Sequence, residues 1–553
     1  MIKEEGIGMI YHKYLEKICS KDTQTQDILY EEKLMELVEK LLASKIQNIE
    51  HNKITLFYEG KQIKNLKEEQ IRYILAGRTY EFIKLLDKNI EKFLEQNPQY
   101  SGETIYTDKN IHNFFKDHIM NNLSEGWVEI RRSDIERIIE PDVDNMEEMD
   151  SEMVSAAFIS EEILAYDSLV FSLLNDNENS DIAQIYRPFF LEIQIPSKYL
   201  KQCAAFKELH MSEDDEFVYV NCQLNEEKSD NGQECSLFSA FSPIKKNSKV
   251  IVIRQSATKQ EIENIKKTYS CNGKGSCLST SLYIQNRLEN IFKNVKFKYA
   301  KVYKVGNANC IYMYSTCSNG QRRLLYDIGI GYKGTSGNSS KAVTTSYQPS
   351  LTALSKINPS AVVISHWDTD HFIGHVYASE KIYDCLWVSP DLKRAGVNAR
   401  RLAVYLYKSG KLLMIDSSKD DFIKVGDELE LYKSKKQVKG TTPINCEGIS
   451  IKIYNTKKGT NSLFMGDVPY SSLTTNANFQ TNSPYKTMVV PHHGAKMDLS
   501  MLSNIKRGKR AIICADGKNK YHPNVEHKRK LRKRFKKVVL TEKAKRAYIK
   551  VEF

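Results

Sequence analysis

The run Ala361-Val362-Val363-Ile364 stops at Ser365-His366-Trp367-Asp368-Thr369-Asp370-His371, and this junction constrains the fold more than any other part of the chain. The apolar, β-branched run reads as a short strand, and the polar cluster begins where it ends. The polar residues therefore sit on a loop at a strand's C-terminal end, which is where open α/β architectures place their sites. Two imidazoles and two carboxylates packed this closely are metal-ligand types. Once buried, such a set has to be paired or metallated.

Three later segments repeat the pattern of an apolar strand ending in a ligand type. Leu463-Phe464-Met465-Gly466-Asp467 presents an aspartate, Val489-Val490-Pro491-His492-His493-Gly494 presents two histidines, and Ala511 to Ala515 leads to His522-Pro523. Each alone reads as an ordinary turn or loop. Together with the first cluster, and in this order, they predict one site assembled from distant strand ends.

A chain of 553 residues is long enough for two or three domains. The first 133 residues read as a helix-rich domain, with helical periodicity over Thr25–Gln47 and Lys67–Gln96 and a strand at Lys53–Tyr58. Residues 134–295 read as an acidic linker followed by a mixed α/β region and a possible recognition domain. The linker, Asp134 to Glu152, carries nine acidic residues against one arginine, with Pro141 inside. Strands are expected at Phe189–Ile195, Glu216–Gln223 and Lys249–Arg254, and helices at Lys259–Tyr269 and Ser279–Asn294. Residues 1–295 thus form a mixed α+β N-terminal region without a chemical signature, and binding of a protein partner is its one functional expectation. From residue 296 to 553 strands are first paired, then alternate with helices, which predicts two sheets covered by helices, an α/β/β/α sandwich.

No apolar run approaches the ~18 residues of a membrane span, and Met1 to Ile10 has acidic residues and glycines where a signal peptide has a basic start. A cytoplasmic protein without membrane association is expected. Eleven cysteines without a C-x-x-C pair exclude a disulfide framework and a zinc ribbon. Cys271 and Cys277 flank a glycine-rich turn too short for a phosphate-binding loop, so reduced thiols are expected there.

The C-terminal motifs resemble the metallo-β-lactamase fold superfamily, and within it the hydrolase domain attached to the bacterial DNA-uptake channel ComEC. The matching residues are Val305-Gly306-Asn307-Ala308-Asn309-Cys310, Leu324-Leu325-Tyr326-Asp327-Ile328-Gly329, the His366 to His371 motif, Gly466-Asp467, Pro491-His492-His493-Gly494 and His522-Pro523. The resemblance implies a metallo-β-lactamase-like sandwich over residues 296–553. It implies that His366 and Asp368 bind one metal and Asp370 and His371 a second, with Asp467 bridging, His492 or His522 as the remaining ligand, His493 as an alternative to His492, and Asp327 structural. Asp370, His493 and His522 become candidates for proton transfer or transition-state stabilisation. Two departures stand out: Asp368 replaces the second histidine of H-x-H-x-D-H, and no histidine lies between His375 and His492. Carboxylate in place of imidazole hardens the site, so one or two divalent ions, Zn²⁺ or Mn²⁺ and by extension Mg²⁺, are the expected cofactors.

The formal charge of +12 is uneven. Ile505 to Phe553 holds 18 Lys and Arg against 4 Asp and Glu, a local +14, which leaves −2 for the rest. A basic segment beside a metal site suits a polyanion, with Lys496, Lys528, Arg529 and Arg532 as candidate phosphate contacts. The expected activity is a phosphodiesterase or nuclease acting on DNA or RNA through a metal-activated water. The alternatives are hydrolysis of a small molecule, such as a cyclic nucleotide, lactone, thioester or lactam, and a metal-stabilised interaction protein without catalysis.

Overall fold

The structure is a computed structural model that describes residues 56–58, 61–63 and most of 125–553, the longest stretches left out of the latter being 140–152, 172–190 and 204–215. The chain divides into two units, residues 1–122 with 178–187, and residues 123–177 with 188–553. Of the first unit the described part is an antiparallel pair, β1 (Leu56–Tyr58) and β2 (Lys61–Ile63). The expected strand at Lys53–Tyr58 coincides with β1 where it is described. The expected helices at Thr25–Gln47 and Lys67–Gln96 lie outside the described residues.

The second unit opens with a closed six-stranded barrel of β3 (Glu125–Arg131), β4 (Met153–Ile159), β5 (Leu191–Pro196), β6 (Phe217–Asn225), β7 (Gln233–Ser239) and β8 (Lys246–Ser256), in the order β3-β4-β5-β7-β8-β6. Period-two burial drives it. Val218, Val220, Cys222 and Leu224 of β6 and Leu191, Ile193 and Ile195 of β5 turn one face inward. Closure of β3 onto β6, with Val128 opposite Val220, removes the free edges that open sheets must protect. β3 lies before residue 133, so the barrel straddles the boundary expected from the sequence. The start of the acidic stretch is helical, since Arg132–Ile139 follows β3 directly; residues 140–152 lie outside the described residues.

The sandwich follows. Its first sheet contains β9 (Lys296–Tyr303), β10 (Cys310–Cys317), β11 (Gly320–Ile328), β12 (Ala361–Val363), β13 (Leu386–Pro390) and β14 (Leu412–Ile415). Its second contains β15 (Asp421–Val425), β16 (Leu429–Lys433), β17 (Ile449–Asn455), β18 (Thr460–Phe464), β19 (Tyr485–Val489), β20 (Gly508–Ile513) and β21 (Phe535–Leu540). The last strand, β22 (Tyr548–Glu552), returns to the first sheet beside β9. Each sheet is antiparallel in one half and parallel in the other, along β11-β12-β13-β14 and β18-β19-β20-β21.

One core lies between the sheets, where Ile311, Met313, Leu324 and Val363 of the first meet Leu431, Ile451, Phe464 and Val489 of the second. A second covers the outer face of the second sheet, where Met488, Ala511 and Ile513 meet Leu473 and Leu531 of flanking helices. Helix Val397–Lys408 buries most of its length against β14. This is the α/β/β/α sandwich expected from the sequence, and the ligand-bearing segments all follow strands of its parallel halves.

Barrel and sandwich are joined by buried polar contacts. Arg401 and Asp167, both inaccessible to solvent, pair at 2.5 Å, and Tyr269 donates to the same carboxylate at 2.8 Å. Glu129 of β3 accepts from the Val397 backbone N–H at 2.8 Å and from the Tyr219 hydroxyl at 2.5 Å. It caps helix Val397–Lys408 from outside, because the residue at the cap position, Gly396, has no side chain to do so. A Cβ at Gly396 would stand 2.9 Å from the Glu129 carboxylate.

Among the described residues the cysteines form no disulfide with one another, and no helix is long and apolar enough to cross a membrane.

Candidate metal centre

The site begins beneath the strand ends. Asp327, near the end of β11 and wholly buried, has a φ of +52°. Its carboxylate accepts from the Ser365 backbone N–H at 2.6 Å, the Ser365 hydroxyl at 2.8 Å and His371 Nδ1 at 2.8 Å. Ser365 Oγ also lies 3.0 Å from His366 Nδ1. This anchor holds each Nδ1 inward and turns both Nε2 atoms away from it, with the rings 4.0 Å apart. His366 Nε2, His371 Nε2 and Asp467 Oδ1 are all buried without a hydrogen-bond partner. Three orphaned polar atoms of ligand type facing one another are what a bound cation resolves.

The second sheet supplies the rest. Gly466, at φ +58°, turns the chain after β18 so tightly against Ser365 that a Cβ there would stand 2.5 Å from the serine's own Cβ. Asp467 then reaches to 3.2 Å from His371 Nε2 and 3.7 Å from His493 Nε2. After β19, His492, His493 and Gly494 take φ values of 49°, 52° and 76° in succession. For the two histidines this conformation costs ~1–2 kcal/mol each. The turn sends the two rings apart. His493 points inward, Nδ1 donating to the Cys514 carbonyl at 3.0 Å and Nε2 lying 3.0 Å from Asp370. His492 stays 30% exposed with Nε2 3.8 Å from Asp467, and stands outside the tight groups.

Two overlapping groups can hold an ion: His366 with His371 and Asp467, and Asp370 with His371 and His493. The separations 370–493, 371–467, 370–371 and 467–493 are 3.0, 3.2, 3.7 and 3.7 Å. Ligands on one tetrahedral ion with bonds of ~2.1 Å stand ~3.4 Å apart, so each of these pairs is spaced as two ligands of one cation are. Burial raises the Asp467 carboxyl, but the His371, His493 and His492 rings outweigh it and hold it well below the usual range. Burial lowers the His371 imidazole, and the Asp467, Asp370 and Asp327 carboxylates pull it well above its ordinary value. Opposite charges thus compensate one another throughout the pocket.

Asp368 behaves differently from its neighbours. One oxygen lies 3.3 Å from His366 Nε2, and the other accepts from Arg131 of the barrel at 2.5 Å. Burial raises its carboxyl, yet the guanidinium and His366 hold it well below the usual carboxylate range. His522 is half-buried, its ring 5.7 Å from His492 and 6.3 Å from His493. It is held there by the next residues, where the Asn524 N–H donates to the Gly494 carbonyl at 2.8 Å.

The proposed phosphate contacts lie elsewhere. Lys496 is exposed, and Lys528, Arg529 and Arg532 sit on helix Val525–Arg534, which turns His527 and Leu531 inward. Arg529 is already paired with Glu526 at 2.7 Å. Among the described residues, the hydrogen bonds and ion pairs of the ligand set involve none of these four.

Sequence reasoning missed Arg131 and the Cys514 carbonyl. Arg131 has no linear signal, since its partner lies 237 residues away. The carbonyl follows an apolar strand like those bearing side-chain ligands, but a backbone atom leaves no residue type to read.

No family model matches the sequence, and no curated protein does. Among solved structures, the chain is similar to Tm1679, described as a metal-dependent hydrolase of the β-lactamase superfamily, at 13% identity and a TM-score of 0.29, over 46% of this chain and 99% of that one. It is also similar to CmlA, a diiron β-hydroxylase from Streptomyces venezuelae, at 10% identity and a TM-score of 0.28, over 71% of this chain and 83% of that one. In its own topology the C-terminal region is an α/β/β/α sandwich, with a candidate metal centre where the strands of its parallel halves end.

Proposed function

We propose that the protein is a metal-dependent hydrolase of phosphodiesters, with nucleic acid as its substrate. The observation that carries this reading is the convergence of Asp370, His371, Asp467 and His493, with both ring tautomers fixed from behind by Asp327 and the Cys514 carbonyl. A divalent ion bound there supplies Lewis acidity and lowers the pKa of water toward neutrality. The chain's own groups do the remainder. Asp370, 31% exposed and the most open of the four, faces the side from which water and substrate arrive, and suits orienting water and taking its proton. His522 and His492 line the neighbouring wall and suit hydrogen bonding to phosphoryl oxygens.

The charge balance of residues 505–553 supports a polyanionic substrate over a small neutral one. Labelled single- and double-stranded DNA and RNA, a cyclic nucleotide and a lactone, each with Mn²⁺, Mg²⁺ or Zn²⁺, separate the readings. Polymer cleavage is expected, falling ~10³-fold in Asp370→Ala while polymer retention persists. Binding should weaken steeply with salt. Turnover of the lactone alone, or cleavage unchanged in the variant, would sink the proposal.

A further inference from the structure

We propose that Arg131, carried into the site by the barrel, takes the place of a second metal ion: the centre holds one divalent cation, and the guanidinium is the other positive charge offered to an anionic substrate. This rests on the hydrolase reading above. Two-metal phosphoryl chemistry uses two positive charges to clamp attacking and leaving oxygens. Here Asp370, His371 and His493 form one group that can hold an ion, and the single free Nε2 of His371 serves that ion alone. What is left for another ion is His366, Asp368 and Asp467, a set of three that needs Asp368 free to ligate. Arg131 already neutralises Asp368 at 2.5 Å. Among the described residues it is the one lysine or arginine in an ion pair with a carboxylate of the centre.

The guanidinium is fixed rather than adventitious. Arg131 ends β3 and lies over the ring of Phe217, its register partner in β6, at 5.3 Å. The next residue, Arg132, donates its backbone N–H to the Glu216 carbonyl at 3.0 Å. Glu216 is itself held by Arg394 of the sandwich at 3.0 Å, and Arg394 by Glu447 at 3.0 Å. Behind it Glu129, two residues earlier on the same strand, bonds the Val397 N–H. Yet the Arg131 side chain keeps 21% of its surface open and Asp368 20%, so the pair borders the space a substrate enters. Arginine suits this role because its planar fork can grip a carboxylate with one N–H and leave others for phosphoryl oxygens, and because it does not lose its proton.

Elemental analysis of the full chain, dialysed with Zn²⁺ or Mn²⁺, tests the proposal without reference to activity. The wild type should carry about one ion per chain, Asp368→Asn should keep it, and Arg131→Ala should admit about one more by freeing Asp368. Arg131→Lys retains the charge and should stay at one ion while hydrolysis falls, by roughly 10²-fold or more given what positioned arginines contribute to phosphoryl transfer. Two ions in the wild type, loss of the ion in Asp368→Asn, an unchanged count in Arg131→Ala, or full activity in Arg131→Lys would overturn it. No ion in any variant would instead remove the hydrolase reading on which it stands. Circular dichroism confirms that each variant is folded.

Discussion

The sandwich and the barrel bring groups to one site by different physical means. The sandwich uses its backbone: Asp327, His492, His493 and Gly466 all take left-handed conformations at strand ends, and each turn aims a donor over a few residues of chain. The barrel uses buried side chains. Asp167 with Arg401, and Glu129 with the Val397 N–H, dock a whole domain so that one arginine reaches Asp368. Local aiming leaves a motif in the sequence, whereas docking leaves scattered charged residues whose partners are hundreds of positions away.

The harshest way to break the second mechanism is Arg401→Met. Removing one member of a fully buried ion pair strands the other charge, at a cost of ~3–5 kcal/mol. Chemical denaturation should show that loss. Activity in the surviving folded fraction should fall too, although residue 401 touches no ligand, because β3 then loses its fixed position. A variant with wild-type stability would mean that Asp167 finds another partner.

Gly466→Ala attacks the first mechanism. A side chain at φ +58° costs ~1–2 kcal/mol, and its Cβ would collide with Ser365, whose hydroxyl touches both His366 and His371. Stability should drop by ~2 kcal/mol and bound metal should be lost with it. Asp327→Asn is gentler. It keeps the shape but weakens the anchor on His371 Nδ1, and metal affinity should fall ~10- to 100-fold, as for other outer-sphere partners of a ligating histidine. Isothermal titration with Zn²⁺ checks it; unchanged affinity would mean that Ser365 alone orients the ring.

The same contrast explains what could be read in the sequence. Strands β12, β18, β19 and β20 lie within a few residues of where apolar runs placed them, because each run is bounded by turn residues and buried on the inter-sheet face. Of the barrel, β5, β6 and β8 were legible as isolated strands. Their closure was not, since it depends on β3 finding β6 across some ninety residues, as the Glu129 to Tyr219 contact does. β21 carries no such apolar run, because Lys536 and Lys537 sit on this edge strand, where charge protects an exposed edge. Within the site, Asp370 and His371 stand out in one cluster of ligand types after an apolar strand, whereas Asp467 stands out only as one of a repeated series. The choice between His492 and His493 depended on two backbone angles that residue identity does not encode.

The mildest test concerns two imidazoles buried in the sandwich away from the barrel contacts. Burial pushes His375 and His527 down to about 4, and His527 accepts from the Tyr470 hydroxyl and donates to the Ala495 carbonyl, each at 2.9 Å. Both folded values lie below the ~6.5 of an unfolded chain, so between pH 6.5 and 4 the unfolded state binds more protons than the folded one. Their contribution is whole above pH 6.5 and is lost as pH falls toward 4, by roughly 1 kcal/mol per histidine per pH unit. Denaturation midpoints measured across that window should therefore slope downward into acid, and His527→Gln should flatten the slope while keeping the two hydrogen bonds available. A slope unchanged in that variant would show that the acid sensitivity comes from the carboxylates of the metal centre instead, which chelator treatment at each pH would then reveal.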